Sequence, residues 1–342
     1  MNQETVLTGI RANDTPTLGN YLGAIVPIVD LANNLDEKTT VNCFIPDLHS
    51  ITTPINHQDL QKNILYNIKL FVAAGLPIKK PLVHLYRQSY IPAHSELTWI
   101  LSCFTGFGEA GRMVEFKDKS SQIGGDRVSV GLFTYPILMA ADILLYDAKW
   151  VPIGEDQRQH LELTRELAIR FNNKFGELFV VPETIEKQQE ILHRDKAPRI
   201  RSLKNPDKKM SKSINDPSGT ILISDNPDEA AKKIMAATTD SFSSINYDWQ
   251  QQPGIANLLT ILSLLTKKDQ AEVNKEWVGQ SQYGSLKTAV AEEVKSALEN
   301  IQRKMANINE DDLANKLIKS EKELSIKAND KLLMVQKAVG LR

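Results

Sequence analysis

The sequence predicts an α/β protein in which a doubly wound parallel sheet is followed by a smaller all-helical domain. Three observations predict it. Short apolar runs at 5–9, 40–46 and 82–86 alternate with stretches of helical periodicity, a βαβαβ pattern that calls for right-handed crossovers and helices on both faces of a sheet. Polar and glycine-bearing turns gather where those runs end, the end at which parallel sheets bind ligands. From Pro182 onward strand signals thin out, and from Pro227 helical spacing dominates, at 230–237, 255–265, 286–305 and 313–339.

The first unit, 5–25, reads as a buried strand, a tight turn and a helix opening in succession. Val6 and Leu7 form an apolar run closed by Gly9; Asn13, Asp14 and Pro16 punctuate a loop, and Thr17-Leu18-Gly19-Asn20 leads into apolar positions at Leu22, Ile25, Val26 and Val29. A strand feeding a helix N-terminus presents unpaired N–H groups and the positive end of the helix dipole, which suits phosphate. Gly19 and Gly23 leave room for a flat ligand against the backbone. The same pattern also describes the first βα unit of any parallel α/β protein, so both readings stand at this point.

Next come the strand at 40–46 and, at its carboxyl end, Asp47-Leu48-His49-Ser50, where His49 is either a satisfied loop histidine or a side chain facing the crevice. Helical spacing at 58–74 stops at Gly75 and Pro77 before the strand at 82–86. A helix at 95–104 precedes a long, weakly patterned insert to Gly131 that carries Lys117 and Lys119; such inserts serve as functional loops or subunit contacts. The apolar helix at 134–146 holds one carboxylate, Asp142, which needs a partner because burying an unpaired carboxylate is costly: either a backbone donor or a ligand N–H. A fourth strand is expected at 150–153. Gly154-Glu155-Asp156-Gln157 then opens another helix, with an acid placed to accept from sugar hydroxyls. The basic loop 199–213, bounded by Pro206, Pro217 and Gly219, carries lysines and serines of the kind that fold over phosphates.

Length and composition narrow the classes. The 342 residues suffice for about two domains. No apolar run approaches the ~20 residues needed to span a bilayer, and the N-terminus lacks the basic and apolar regions of a signal peptide, so a cytoplasmic protein without membrane contact is expected. Cys43 and Cys103 stand far apart as free thiols, which excludes a zinc or iron–sulfur centre built from cysteine pairs. The net charge of −1 conceals a split: residues 1–190 carry 17 Lys and Arg against 22 Asp and Glu, and residues 191–342 carry 24 against 20. That asymmetry fits a small-molecule site followed by a polyanion-contacting module, and equally fits solvated basic helices.

Three motifs in this order carry a resemblance. Thr17-Leu18-Gly19-Asn20 resembles a divergent HIGH turn, Gly154-Glu155-Asp156-Gln157 with His160 and Arg165 resembles a GxDQxxHxxxxR helix opening, and Lys209-Met210-Ser211-Lys212-Ser213 matches KMSKS in full. Together they resemble the class I aminoacyl-tRNA synthetases of the tyrosine and tryptophan subclass, nearest the bacterial tryptophan branch. The match runs through nearly the whole chain, including TYPILMAADILLY, VPIGEDQ and the RYD-like Asn246-Tyr247-Asp248.

The resemblance implies a Rossmann-like doubly wound catalytic domain over 1–190, with a C-terminal helix at about 310–342 packing back on it. A KMSKS loop and α-helical anticodon-recognition domain would fill 191–309. It implies activation of L-tryptophan by ATP and transfer to the 2′-hydroxyl of the terminal adenosine of tRNA(Trp), with no covalent enzyme nucleophile. Thr17, Gly19, Asn20, Lys119, Lys209, Ser211 and Lys212 would act on the triphosphate. Gly9, Ile10, Arg11, Gly154, Asp156, Ile200 and Met210 would complete the ATP site. Leu7, His49, Tyr135, Met139, Asp142, Ile143, Val151, Ile153 and Gln157 would hold the amino acid, with Asp142 accepting the indole N–H. Mg²⁺ would be bound through ATP phosphates, without a protein metal site, and a homodimer would form through the first domain. The chain departs from the family pattern at Arg11, where Gln is usual, at Leu7, where an aromatic residue often lies, at Glu115, where Gln is common, and in a slightly longer insert after Lys119. The alternatives are the tyrosine enzyme, a synthetase-like binding protein that never charges tRNA, and a plain nucleotide-binding α/β protein.

Overall fold

The computed structural model describes residues 4–36, 38–113, 128–154, 157–191, 199–211 and 216–342. Three parallel strands, β1 (Thr5–Gly9), β2 (Thr40–Ile45) and β3 (Val83–Arg87), pair in the order β1-β2-β3, with Leu7 opposite Asn42 and Asn42 opposite His84. Their runs are apolar or β-branched on both faces and buried almost throughout, as a sheet covered on both sides requires.

The two crossovers within the sheet carry α1 (Leu18–Asn20), α2 (Val26–Asn34), the one-turn α3 (Asp47–Ser50) and α4 (Leu60–Ala73). Helices α2 and α4 cover one face, packing Ile28, Val29, Ile64, Ile68 and Phe71 on Val41, Cys43, Ile45, Val83 and Leu85. After β3 the chain passes to the other face, where α5 (Ala93–Ser102), α6 (Val130–Leu144) and α7 (Arg158–Phe175) bury Leu7, Phe44 and Tyr86. Helix α6 begins earlier than its apolar spacing suggests because Ser129 caps it, accepting from Leu132 N at 3.1 Å.

The expected fourth strand at 150–153 is not formed beyond one residue. Trp150 makes a single parallel bridge with Val6, through Leu7 N to Trp150 O at 2.9 Å and Trp150 N to Thr5 O at 3.1 Å. The next donor on that side of the ladder falls at Pro152, which has no N–H, and Val151 N turns to Gln188 Oε1 at 2.7 Å instead. The return to the far side of β1 still reverses the strand order there. That reversal opens the crevice in which open α/β sheets bind ligands.

The C-terminal part comprises α8 (Pro227–Met235), α9 (Pro253–Thr266), α10 (Tyr283–Ala306) and α11 (Glu310–Ala338). Their cores join the α2–α4 side of the sheet in one continuous cluster through Ile200, Met210, Ile221 and Ile223. Helix α11 crosses the sheet edge: Leu313 and Leu317 belong to that cluster, whereas Leu324, Ala328, Leu332 and Val335 pack into the opposite one. At the crossing it caps β3, whose outer side has no neighbouring strand among the described residues. Leu85 N donates to Ser320 Oγ at 3.3 Å, and Glu321 accepts from Arg87 N at 3.2 Å and from its guanidinium at 2.7 and 2.9 Å. No helix among the described residues is long and apolar enough to cross a membrane.

Candidate active site

The first turn is built by capping. Thr17 closes α1 with a reciprocal box: Asn20 N donates to Thr17 Oγ1 at 3.1 Å, and Thr17 N donates to Asn20 Oδ1 at 3.1 Å. A π-helical turn, Tyr21–Ile25, follows immediately. Pro27 lacks the N–H that would bond back to the residue 23 carbonyl, which favours this wider turn, and such turns recur at functional sites. At the end of β1, a Cβ on Gly9 would stand 2.4 Å from Phe44 O and 2.8 Å from the Phe44 ring, so only glycine fits there. The loop beyond is tied to α3 by Ala12 N donating to Ser50 Oγ at 3.2 Å. Ile10 is half-buried and Arg11 exposed.

The basic loop is a hairpin. Arg201 pairs with Lys209 in an antiparallel bridge, Met210 N donates to Ile200 O at 3.0 Å and Ser202 N to Lys208 O at 2.9 Å. Ser202 Oγ donates to Asp216 Oδ2 at 2.6 Å across its base. Asn257 of α9 holds it from behind as a peptide group would, accepting from Arg201 N at 2.8 Å and donating to Arg201 O at 3.0 Å. The chain leaving the hairpin bonds to the first turn: Thr17 bridges Leu222, Leu18 N donates to Ile221 O at 2.8 Å, and Ile223 N to Pro16 O at 3.0 Å. Gly19 therefore faces the hairpin rather than open space, with Ile200 Cβ and Met210 Cβ 3.4 and 3.5 Å from where its own Cβ would be. A depression of about 320 Å³ on the hairpin is lined by Ser202, Lys204, Asn205, Lys208, Lys209, Ser211, Asp216 and Thr220, and the buried Thr220 hydroxyl has no partner among the described residues. Its three ammonium groups outnumber the one carboxylate, Asp216, which already accepts from Ser202, and that balance suits an anion.

Asp142 lies on the opposite side of the crevice, 1% exposed. Its protein donors are side chains, where a backbone donor was one of the two partners expected. Oδ1 accepts from Gln88 Nε2 and His94 Nδ1, both at 2.6 Å, and Oδ2 from His49 Nε2 at 2.9 Å. A carboxylate removed from water needs several donors, and the segments that follow β2 and β3 supply them. Burial pushes its pKa up, but the hydrogen bonds from His49 and His94 outweigh that and leave it below the usual carboxylate range.

Beside it Tyr135 meets His49 edge-on at 6.1 Å and hydrogen-bonds His160 Nε2 at 3.0 Å, while His160 Nδ1 meets Gln157 Oε1 at 2.8 Å. Leu7, Ile143 and Val151 are buried in the same cluster, and Met139 and Ile153 pack partly exposed against it. The structure thus brings together Thr17, Gly19, Asn20, Ile200, Lys209, Met210 and Ser211 at the turn and hairpin. It gathers His49, Tyr135, Asp142 and Gln157 near the apolar wall, with Gly154 between Val151 and Gln157 in the chain. Lys119, Asp156 and Lys212 of the expected site, with Glu115, lie outside the described residues. Among the described residues no cluster of three or more His, Cys, Asp or Glu is placed to hold a metal ion.

Gln88, His94, Tyr146 and Asn257 were not anticipated from sequence. Gln88 stands directly after β3, as His49 stands after β2, and the rule that flagged His49 applies to it; His94 follows in the first turn of α5. Asn257 carried no signal, since its role depends on a helix more than fifty residues from the hairpin strand that it holds.

Residues 2–299 match the family model described as tRNA synthetases class I (W and Y), and the chain belongs to that family. Its similar relatives are bacterial tryptophan–tRNA ligases. It is 46% identical to the one from Caldanaerobacter subterraneus subsp. tengcongensis over 98% of both chains, and 41% identical to the one from Malacoplasma penetrans over 99% of this chain and 98% of the relative. Among solved structures, tryptophanyl-tRNA synthetase from Mycoplasma pneumoniae superposes with a TM-score of 0.84 at 34% identity, covering 100% of this chain and 99% of the other. The Campylobacter jejuni enzyme complexed with ADP and tryptophan gives 0.78 at 30% identity, covering 98% and 99%.

Proposed function

We propose that the chain is a tryptophan–tRNA ligase. It joins the carboxylate of L-tryptophan to the α-phosphate of ATP, releasing pyrophosphate, and passes the tryptophanyl group to tRNA(Trp), releasing AMP. The observation that carries this reading is the seam at which the chain leaving the lysine hairpin hydrogen-bonds to the Thr17-to-Asn20 turn, because it joins two phosphate-binding elements at one crevice. The substrate carboxylate is itself the nucleophile, so the protein positions reactants and stabilises phosphate charge.

In this reading Thr17 and Asn20 hold the turn rigid, Gly9, Ile10, Arg11, Gly19, Ile200 and Met210 shape the nucleotide's bed, and Gly154 and Asp156 meet the ribose. Lys209, Ser211 and Lys212, with Lys119, approach the phosphates. Mg²⁺ enters with ATP as its phosphate complex. Gln157 and Tyr135 hold the amino and carboxylate ends, and Asp142 accepts the indole N–H between Leu7, His49, Met139, Ile143, Val151 and Ile153. The ADP and tryptophan bound by the similar Campylobacter jejuni enzyme support both substrates.

The same reading divides the chain into a catalytic domain, 1–190 with α11 packed back on it, and an anticodon-recognition domain over 191–309, and places the protein in the cytoplasm. A homodimer through the first domain is supported by Trp99, Phe107 and Val130, which are 72, 83 and 77% exposed, with the Phe107 and Phe133 rings 4.9 Å apart. The decisive experiment is amino-acid-dependent exchange of labelled pyrophosphate into ATP, followed by charging of tRNA(Trp). Tryptophan is expected to drive both; exchange driven by tyrosine instead, or adenylate formation without charging, overturns the reading.

A further inference from the structure

Asp142 is held by three donors, and they are distributed unevenly. Oδ1 receives two, from Gln88 Nε2 and His94 Nδ1, while Oδ2 receives one, from His49 Nε2. An ionised carboxylate offers about four acceptor positions, two on each oxygen. Oδ1 is therefore full, and the remaining position lies on Oδ2.

Behind Oδ1 the arrangement continues away from the crevice. His94 Nε2 meets the Tyr146 hydroxyl at 2.9 Å, and Tyr86 lies over His94 with ring centroids 6.2 Å apart and meets Tyr146 edge-on at 5.8 Å. Gln88, His94 and Tyr146 are all fully buried. Burial raises the pKa of the Tyr146 phenol, so it keeps its proton and can give it to a hydrogen bond. A phenol donating to Nε2 fixes the tautomer in which Nδ1 carries the proton that Asp142 receives.

We propose that His94 and Tyr146 are specificity-determining positioning residues: together with Gln88 they saturate Oδ1, so that the only acceptor position left to a ring N–H is on Oδ2. Neither touches the amino acid. They act by denying Asp142 any rotation that would redistribute these bonds and close the open position on Oδ2. A ring N–H fills that position, whereas a ring that lacks one leaves it empty and gains less on binding. The proposal rests on the reading of Asp142 as the indole acceptor.

The test is pyrophosphate exchange with tryptophan and with 3-(3-benzothienyl)alanine, which carries sulfur where indole has N–H. Wild type is compared with Asp142→Asn, Tyr146→Phe, His94→Leu and His94→Asn, the last keeping a donor near the Nδ1 position. Tyr146→Phe and His94→Leu are expected to lower the preference for tryptophan about tenfold, mainly through KM for tryptophan, with the analogue changed by less than about twofold and the His94→Asn variant retaining most of the preference. Tyr146→Phe removes one oxygen and keeps the ring, so the test does not depend on the His94 variants folding. If Asp142→Asn loses the preference while Tyr146→Phe keeps it, the proposal is overturned and the reading of Asp142 stands. If Asp142→Asn also keeps it, that reading fails and the proposal with it. Equal losses for both amino acids in Tyr146→Phe mark a purely structural role and also overturn the proposal.

Discussion

Single residues in this protein are constrained most where two backbones or two charges meet. Gly9 ends β1 against the carbonyl and ring of Phe44, leaving no volume for a methyl group. Gly9→Ala is expected to cost about 2 kcal/mol or more in denaturant unfolding and to weaken ATP binding, because β1 must shift at the crevice to relieve the overlap. His84 of β3 is a second case. Burial, reinforced by the charges of Lys316, Lys327 and Lys319, lowers its pKa from 6.5 to about 4. The unfolded chain therefore binds a proton that the folded protein declines, and stability falls as pH drops from about 6.5 to about 4. Replacing His84 with Gln is expected to flatten that limb of the stability–pH profile; an unchanged limb would assign the acid sensitivity to other groups.

Elements are held in place here largely by side chains acting as backbone. Asn257 gives Arg201 the donor and acceptor that a neighbouring strand would have supplied, so helix α9 is in effect the outer strand of the lysine hairpin. Asn257→Ala leaves both groups unpaired and is expected to raise KM for ATP about tenfold in pyrophosphate exchange, with KM for tryptophan nearly unchanged. Ser320 and Glu321 do the same for β3. Because Glu321 also takes two bonds from the Arg87 guanidinium, Glu321→Ala is expected to cost about 3 kcal/mol, measured by chemical denaturation. The strand alternation of β1 to β3 and the turn into the first helix were legible in the sequence because period and turn chemistry are local; the reciprocal capping of that turn by Thr17 and Asn20 was not read from it. The loss of the fourth strand was legible in principle too, at Pro152, but its apolar neighbours Val151 and Ile153 outweighed one missing donor in the reading.

For the molecule as a whole, the two hydrophobic cores do not follow the division of the chain into catalytic and helical parts. One core runs from α2 and α4 through the hairpin into α8, α9 and α10, and α11 passes from it to the other. A hairpin fixed to α9 and bonded to the Thr17 turn couples any shift of the helical part to that turn. On the outer surface, Trp99 and Phe107 expose more apolar area than an isolated subunit is expected to leave in water. If the proposed homodimer forms through this surface, the unaltered chain is expected to sediment as a dimer and a Trp99→Asp, Phe107→Asp double variant as a monomer. A dimer that survives both changes would move the interface elsewhere.

The sequence by itself determined the alternation of the first three strands with helices, the turn that opens the first helix, the lysine-bearing loop and the family resemblance, since each resides in a few neighbouring residues whose spacing and chemistry are local. Only the tertiary structure decided what Asp142 is bonded to, what seals the edge of β3 and what anchors the hairpin. Those partners lie 93, 54 and 48 residues from Asp142, more than 230 from β3 and 56 from Arg201. A buried polar group must find a donor or acceptor, and the sequence states that need. Which group meets it depends on chain closure over distances where local periodicity carries no information.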